Sequence, residues 1–185
     1  MKRITFVTGY PRSRTCWLSE LLTVHRHSFA YHEGSIGSGS CLGWRAKMDM
    51  RNERNVIDCN AATLAFMHGP EFKHAFPEVN YVLVIRDKET CRRNYTDFLG
   101  DLMNGYDQEQ NDRGWELMEG NFNALMRNPD CIKISYEELD NPQIVARLCE
   151  HIAPGFPWDS ERFEQLRRKK IVQNLDAFVT TSQST

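Results

Sequence analysis

The opening of this chain constrains its fold more than any other stretch. The run ITFVTG (residues 4 to 9) is an apolar strand that breaks at Gly9, and TCWLSELL (15 to 22) continues with the spacing of an amphipathic helix. The turn between them, YPRSR, carries Arg12 and Arg14. Amide groups in the first turn of a helix lack intrahelical partners, and the helix dipole adds partial positive charge there, so phosphate or sulfate binds readily. Arginines at that mouth strengthen an anion site. The phosphate-loop pattern G-x-x-x-x-G-K-[ST], laid on Gly9, fails at three places. Arg14 stands for the second Gly, Thr15 for the Lys, and Cys16 for the hydroxyl that would hold Mg2+. What remains is a phosphate-loop architecture without its usual metal chemistry.

The rest of the chain alternates in the same way. Strands are predicted at 3 to 8, 28 to 33, 55 to 60, 80 to 87 and 131 to 136, and helices at 14 to 24, 88 to 103, 110 to 127, 142 to 152 and 159 to 170. The Gly/Ser-rich stretch GSIGSGSCLG (34 to 43) reads as an irregular active-site flap, and the tail TTSQST as frayed. This pattern predicts an α/β fold, a single phosphate-loop-type domain over residues 1 to 185, with a parallel sheet of about five strands covered by helices on both faces. Ligands of such sheets bind beyond the carboxyl ends of the strands, where Gly9, Glu33, Asp58 and Arg86 are expected to gather.

Composition sets bounds. With 185 residues, 41% hydrophobic and 26% charged, the chain has enough material for one core. A net charge of -2 leaves no global field for nucleic acid or acidic membranes, so an anion site must be local. No stretch approaches the roughly 18 apolar residues of a membrane span. The first strand begins too early for a signal segment, and six scattered cysteines without C-x-x-C or zinc spacing read as reduced thiols, so the expected location is cytoplasmic, with no metal bound.

Three segments carry a family resemblance. YPRSRTCWL resembles the 5′-phosphosulfate loop of the sulfotransferases, roughly P-[KR]-S-G-T-[TS]-[WL]. YVLVIRDKETCRRNY resembles their 3′-phosphate segment, an Arg at a strand end with a Ser eight residues later. CIKISYEELDNPQIVARLCEHI is similar to the strand, YE-[DE]-L motif and helix near the end of that fold. The segments occur in the family's order.

The resemblance implies a donor, 3′-phosphoadenosine-5′-phosphosulfate (PAPS), and a product, adenosine 3′,5′-bisphosphate, with no metal. It implies that Pro11, Ser13, Arg14, Thr15, Cys16 and the loop amides surround the 5′-phosphosulfate, that Arg12 holds the transferred group, and that Trp17 flanks adenine. Arg86, with Asn94 at the Ser position, would bind the 3′-phosphate. In the tyrosylprotein sulfotransferases, which also have Arg in this loop, a Glu after the second strand is the general base; counting on from the loop, it falls on Glu33, with neighbouring His32 the rival. The acceptor would be a small molecule, sugar or peptide, met by the 34 to 52 loop and the 104 to 127 region, where Tyr106, Asp107, Arg113 and Trp115 are possible contacts.

Arg14 in place of Gly requires either a negative φ or strain of about 1 kcal/mol. The basic C-terminal Gly motif of the cytosolic enzymes is only hinted at by Arg167, Arg168, Lys169 and Lys170. Trp17 stands at helical spacing with Leu21 and suits a core equally well. Asp58 favours a structural role, although on a strand end it also suits the Mg2+-holding Asp of a phosphate-loop kinase. A nucleotide kinase and a non-catalytic nucleotide-binding protein of the same fold are therefore the alternatives.

Overall fold

The computed structural model describes residues 2–23, 28–99 and 108–168. Five strands, β1 (Arg3–Gly9), β2 (Ser28–His32), β3 (Asn55–Cys59), β4 (Asn80–Ile85) and β5 (Ile132–Ser135), form one sheet in the order β2-β3-β1-β4-β5. Every neighbouring pair is parallel. The fold class read from the sequence is thus the one observed.

Side chains alternate across the strands, and the sequence is apolar at both phases, so each face needs a cover. On one face Val7, Ile57, Val82, Val84 and Ile134 pack under α1 (Thr15–Leu22), α7 (Pro142–Ile152) and α8 (Ser160–Arg168). On the other, Ile4, Phe6, Val56 and Leu83 pack under α2 (Cys41–Asp49), α3 (Thr63–Phe66), α4 (Pro70–Ala75) and α6 (Gln108–Arg127). Phe6 is the hub of the second core, with the rings of Trp44, Phe72 and Phe76 each 5.0 to 5.3 Å from its own. α5 (Lys88–Leu99) follows β4.

The structure corrects the reading of the Gly/Ser stretch as wholly irregular. Its end begins α2, capped by Ser40 Oγ, which accepts from the Gly43 amide at 3.0 Å. Gly43 serves packing here: a Cβ on it would stand 2.1 Å from the Ser38 carbonyl oxygen, so the loop folds back onto its own helix only over glycine. The short α3 and α4 were also unpredicted. Lys169, Lys170, Tyr106, Asp107, the end of the predicted 88 to 103 helix and the tail lie outside the described residues. Among the described residues no helix is long and apolar enough to cross a membrane.

Candidate functional site

The site is built at the carboxyl edge of the sheet by the β1–α1 turn. Gly9 is dictated by strand packing: a Cβ there would lie 2.6 Å from the Val84 carbonyl oxygen on β4. The chain then turns through Arg12 at φ 71° and Arg14 at φ 60°, both left-handed, so the strain anticipated at Arg14 is present. Arg14 is the N-cap of α1 and makes no side-chain cap bond. Ser13 is fully buried, its hydroxyl donating to the Tyr10 carbonyl at 2.5 Å, which ties the turn to itself. Tyr10 is stacked on Phe122, centroids 4.6 Å apart, and burial pushes its hydroxyl up to about 12. The turn is therefore anchored to α6 from below.

A cleft of about 1020 Å³ opens above this turn. It brings together Pro11, Arg12, Arg14, Thr15, Cys16 and Trp17 with His32, Glu33, Arg86 and Asn94. Ser13 does not line it, because its side chain points into the protein. Trp17 has the core character read for it: it is 6% exposed and packs edge-on to Phe163 at 5.7 Å, and it also lines the cleft. Arg86 follows β4, donates from Nη1 to the Arg12 carbonyl, and so fastens the turn to the next strand.

Glu33 owes its position to a buried scaffold. Its amide extends the ladder past β2 to the Cys59 carbonyl at 3.3 Å, and its own φ of 54° turns the chain out of the sheet. Below it Asp58, 0% exposed, accepts from the Gly34 amide at 3.0 Å and from Trp44 Nε1 at 2.6 Å. Lys47 donates to the Gly34 carbonyl at 3.2 Å, and Asn60 Nδ2 to Ser35 Oγ at 2.8 Å. Burial pushes the Asp58 carboxyl up to about 7, against the lowering pull of the Gly34 and Trp44 donors, Lys47 and Asn60. Asp58 therefore does not gather with the cleft residues as expected. It sits beneath them, and both of its oxygens are engaged in holding the β2–α2 connection.

His32 Nε2 lies 3.9 Å from Glu33 Oε1, so the two rival bases are in contact. Burial lowers the imidazole below its usual value, with Glu33 and then Glu20 opposing that shift. His32 is consequently biased toward its neutral form beside the carboxylate.

Sequence reasoning missed Tyr136. Its ring lies under two guanidiniums, Arg86 Cζ at 3.9 Å and Arg14 Cζ at 4.5 Å from its centroid. The YEEL motif containing it was visible, but only the β4–β5 pairing brings the ring to Arg86. The cleft wall on the α3 side, with Ala62 and Ala65, was likewise unassigned, whereas the α6 side, with Gly114, Trp115 and Met118, lies in the region read as meeting the acceptor. Arg167 also lines the cleft, whereas Arg113 is exposed, paired with Glu109 and not part of its wall.

No protein-family model matches the sequence, and no curated protein does. Solved structures do. A sulfotransferase from Alicyclobacillus acidocaldarius superposes with TM-score 0.58 at 13% identity, covering 98% of this chain and 91% of that one. Mouse sulfotransferase SULT7A1, complexed with PAP, gives TM-score 0.61 at 14% identity, covering 90% of this chain and 64% of the mouse chain. The sulfotransferase domain from the curacin biosynthetic pathway gives 0.59 at 16%, covering 91% and 79%. The chain has the sulfotransferase fold.

Proposed function

We propose that this protein is a PAPS-dependent sulfotransferase, moving a sulfuryl group to the hydroxyl or amine of a small-molecule, sugar or peptide acceptor. The observation that carries the reading is the convergence of Arg12, Arg86, Asn94 and Glu33 on one cleft at the N-terminus of α1. The residues suit a bisphosphorylated nucleotide: a cleft of about 1020 Å³ accommodates one, and Arg12, Arg14, Arg86 and Arg167 line it. The donor supplies an activated sulfuryl group, whose transfer resembles phosphoryl transfer in its in-line geometry and loose transition state.

The chain's own residues then have distinct tasks. Arg12 and the first-turn amides of α1 stabilise the charge on the transferring group. Thr15 and Cys16 line the 5′ side, and Ser13 contributes only through its backbone. Arg86 and Asn94 hold the 3′-phosphate, and the cleft edge of Trp17 flanks the base. Glu33 accepts the acceptor's proton, and neutral His32 beside it steadies the carboxylate. The kinase alternative loses its metal-binding candidate, because Asp58 is already engaged by Gly34 and Trp44.

Ligand preference tests this reading. At 100 times its dissociation constant, adenosine 3′,5′-bisphosphate stabilises by about 2.7 kcal/mol, a rise in Tm of roughly 5 to 10 °C for a chain of this size. The rise should persist in EDTA, and PAPS with a panel of phenols, sugars and peptides should give a sulfated product. A larger shift with Mg-ATP would make the protein a kinase. Bisphosphate binding with no transfer to any acceptor would make it a non-catalytic relative.

A further inference from the structure

Arg14 combines features that a surface arginine in a turn does not need. Its backbone is left-handed, φ 60° and ψ 23°, where glycine would be at ease and an L residue is strained. Its side chain leaves the turn and crosses to the segment after β5. There Nη1 donates to Asp140 Oδ1 at 2.8 Å, and the guanidinium lies over Tyr136, the ring that also carries Arg86. The Asp140 side chain is 48% exposed, so the pair is solvated and weak. Of the other charged groups nearby, Arg167 is paired with Glu164, and Arg86 is turned toward the Arg12 carbonyl.

We infer that Asp140 is an internal counter-anion holding Arg14 at the rim of the cleft, and that a phosphate of the bound nucleotide displaces it. Arg14 thereby becomes a phosphate-binding arginine beside Arg12 and Arg86, and the Arg14–Asp140 pair is a brake on nucleotide affinity. The inference rests on the cleft being a nucleotide site. The exchange is favourable because a phosphate offers more charge and more acceptor oxygens than one half-exposed carboxylate. Tyr136 supports the guanidinium face, so the side chain need only change partners. This use of the side chain also accounts for tolerating an arginine where the backbone suits glycine.

Titration calorimetry with adenosine 3′,5′-bisphosphate on the intact chain tests this through a double-mutant cycle. Asp140→Asn should tighten binding about two- to fivefold, the factor that an exposed ion pair is worth. Arg14→Gly should weaken it about 10-fold or more, as expected when a charge-assisted hydrogen bond is lost, and Arg14→Asn, which tolerates the left-handed backbone, should do the same. The gain from Asp140→Asn should vanish when Arg14 is already Gly. An equal gain in both backgrounds would reduce Asp140 to a diffuse field effect and overturn the exchange, as would unchanged or weaker binding by Asp140→Asn alone. A wild-type protein that does not bind the bisphosphate overturns the proposed function together with this inference, whereas wild-type binding without the Asp140→Asn gain overturns this inference alone.

Discussion

Arg86 lies over the ring of Tyr136, its Cζ 3.9 Å from the centroid, while its Nη1 donates to the carbonyl of Arg12. The ring is fixed in turn, because the Tyr136 amide donates to the Ile85 carbonyl at 2.8 Å, one residue before Arg86. One side chain thus ties together the ends of β1, β4 and β5. A guanidinium has five N–H donors, so these contacts leave capacity for a phosphate.

Arg86→Ala should therefore have two separable effects on binding. Loss of the Arg12 contact loosens the turn and should cost about 1 kcal/mol for adenosine 5′-monophosphate and the 3′,5′-bisphosphate alike. Loss of the proposed 3′-phosphate contact should cost the bisphosphate about 1.5 to 3 kcal/mol more. Calorimetry with both ligands checks this, and equal losses would confine Arg86 to a role in shaping the turn. Arg86→Lys should recover little, since an ammonium lacks the planar fork and the stacking face.

Glu33→Gln keeps the size of the side chain but cannot accept a proton. Turnover should fall about 100-fold or more while bisphosphate affinity stays within about threefold. His32→Gln should cost much less if, as proposed, His32 serves only to steady Glu33. Steady-state rates and binding on both variants check this. The reverse ranking would make His32 the base.

Asp58 predicts a pH dependence of stability. Its carboxyl is raised to about 7 in the fold from 3.8, so between those values the folded protein keeps a proton that the unfolded chain has released. Its contribution is full below about pH 3.8 and declines as pH rises through 7. Asp58→Asn should flatten that part of the profile. Tm measured across the range, at roughly 2 to 4 °C per kcal/mol, should show a shallower decline toward pH 8 in the variant than in the wild type. Parallel profiles would mean that Asp58 is already ionised throughout.

Gly34→Ala tests the scaffold beneath Glu33. The new Cβ would lie 2.5 Å from Asp58 Oδ2 and 3.1 Å from Tyr31 Cβ, so the turn must shift. A loss of about 1 to 3 kcal/mol in stability is expected, with a fall in turnover that exceeds any fall in bisphosphate affinity. Denaturant unfolding and kinetics together check it; unchanged turnover at reduced stability would separate the scaffold from the position of Glu33.

The sheet and the strand-turn-helix at the head of the chain are legible in the residues, because both rest on local signals. Apolar runs such as YVLVI are long enough to be buried on both faces, and Asn141 with Pro142 marks the start of α7, where the Asn side chain accepts from the amides of Gln143 and Ile144. Gly9 and the following helix likewise announce themselves within a few residues. Features that depend on neighbours distant in the chain are set by packing. α2 forms after a Gly/Ser stretch because Trp44 is buried against Phe6, Phe72 and Asp58, a gain that outweighs weak local propensity. Ser13 was read as a ligand group, but its hydroxyl turns to Tyr10 once α6 packs beneath the turn. Asp58 was placed at the strand ends with Glu33, yet it pairs with Tyr31, two register positions before Glu33, and is fully buried where Glu33 is only half-buried. Tyr136 becomes a shared platform for Arg14 and Arg86 only because β5 lies next to β4, and strand order is a long-range property that no local pattern encodes.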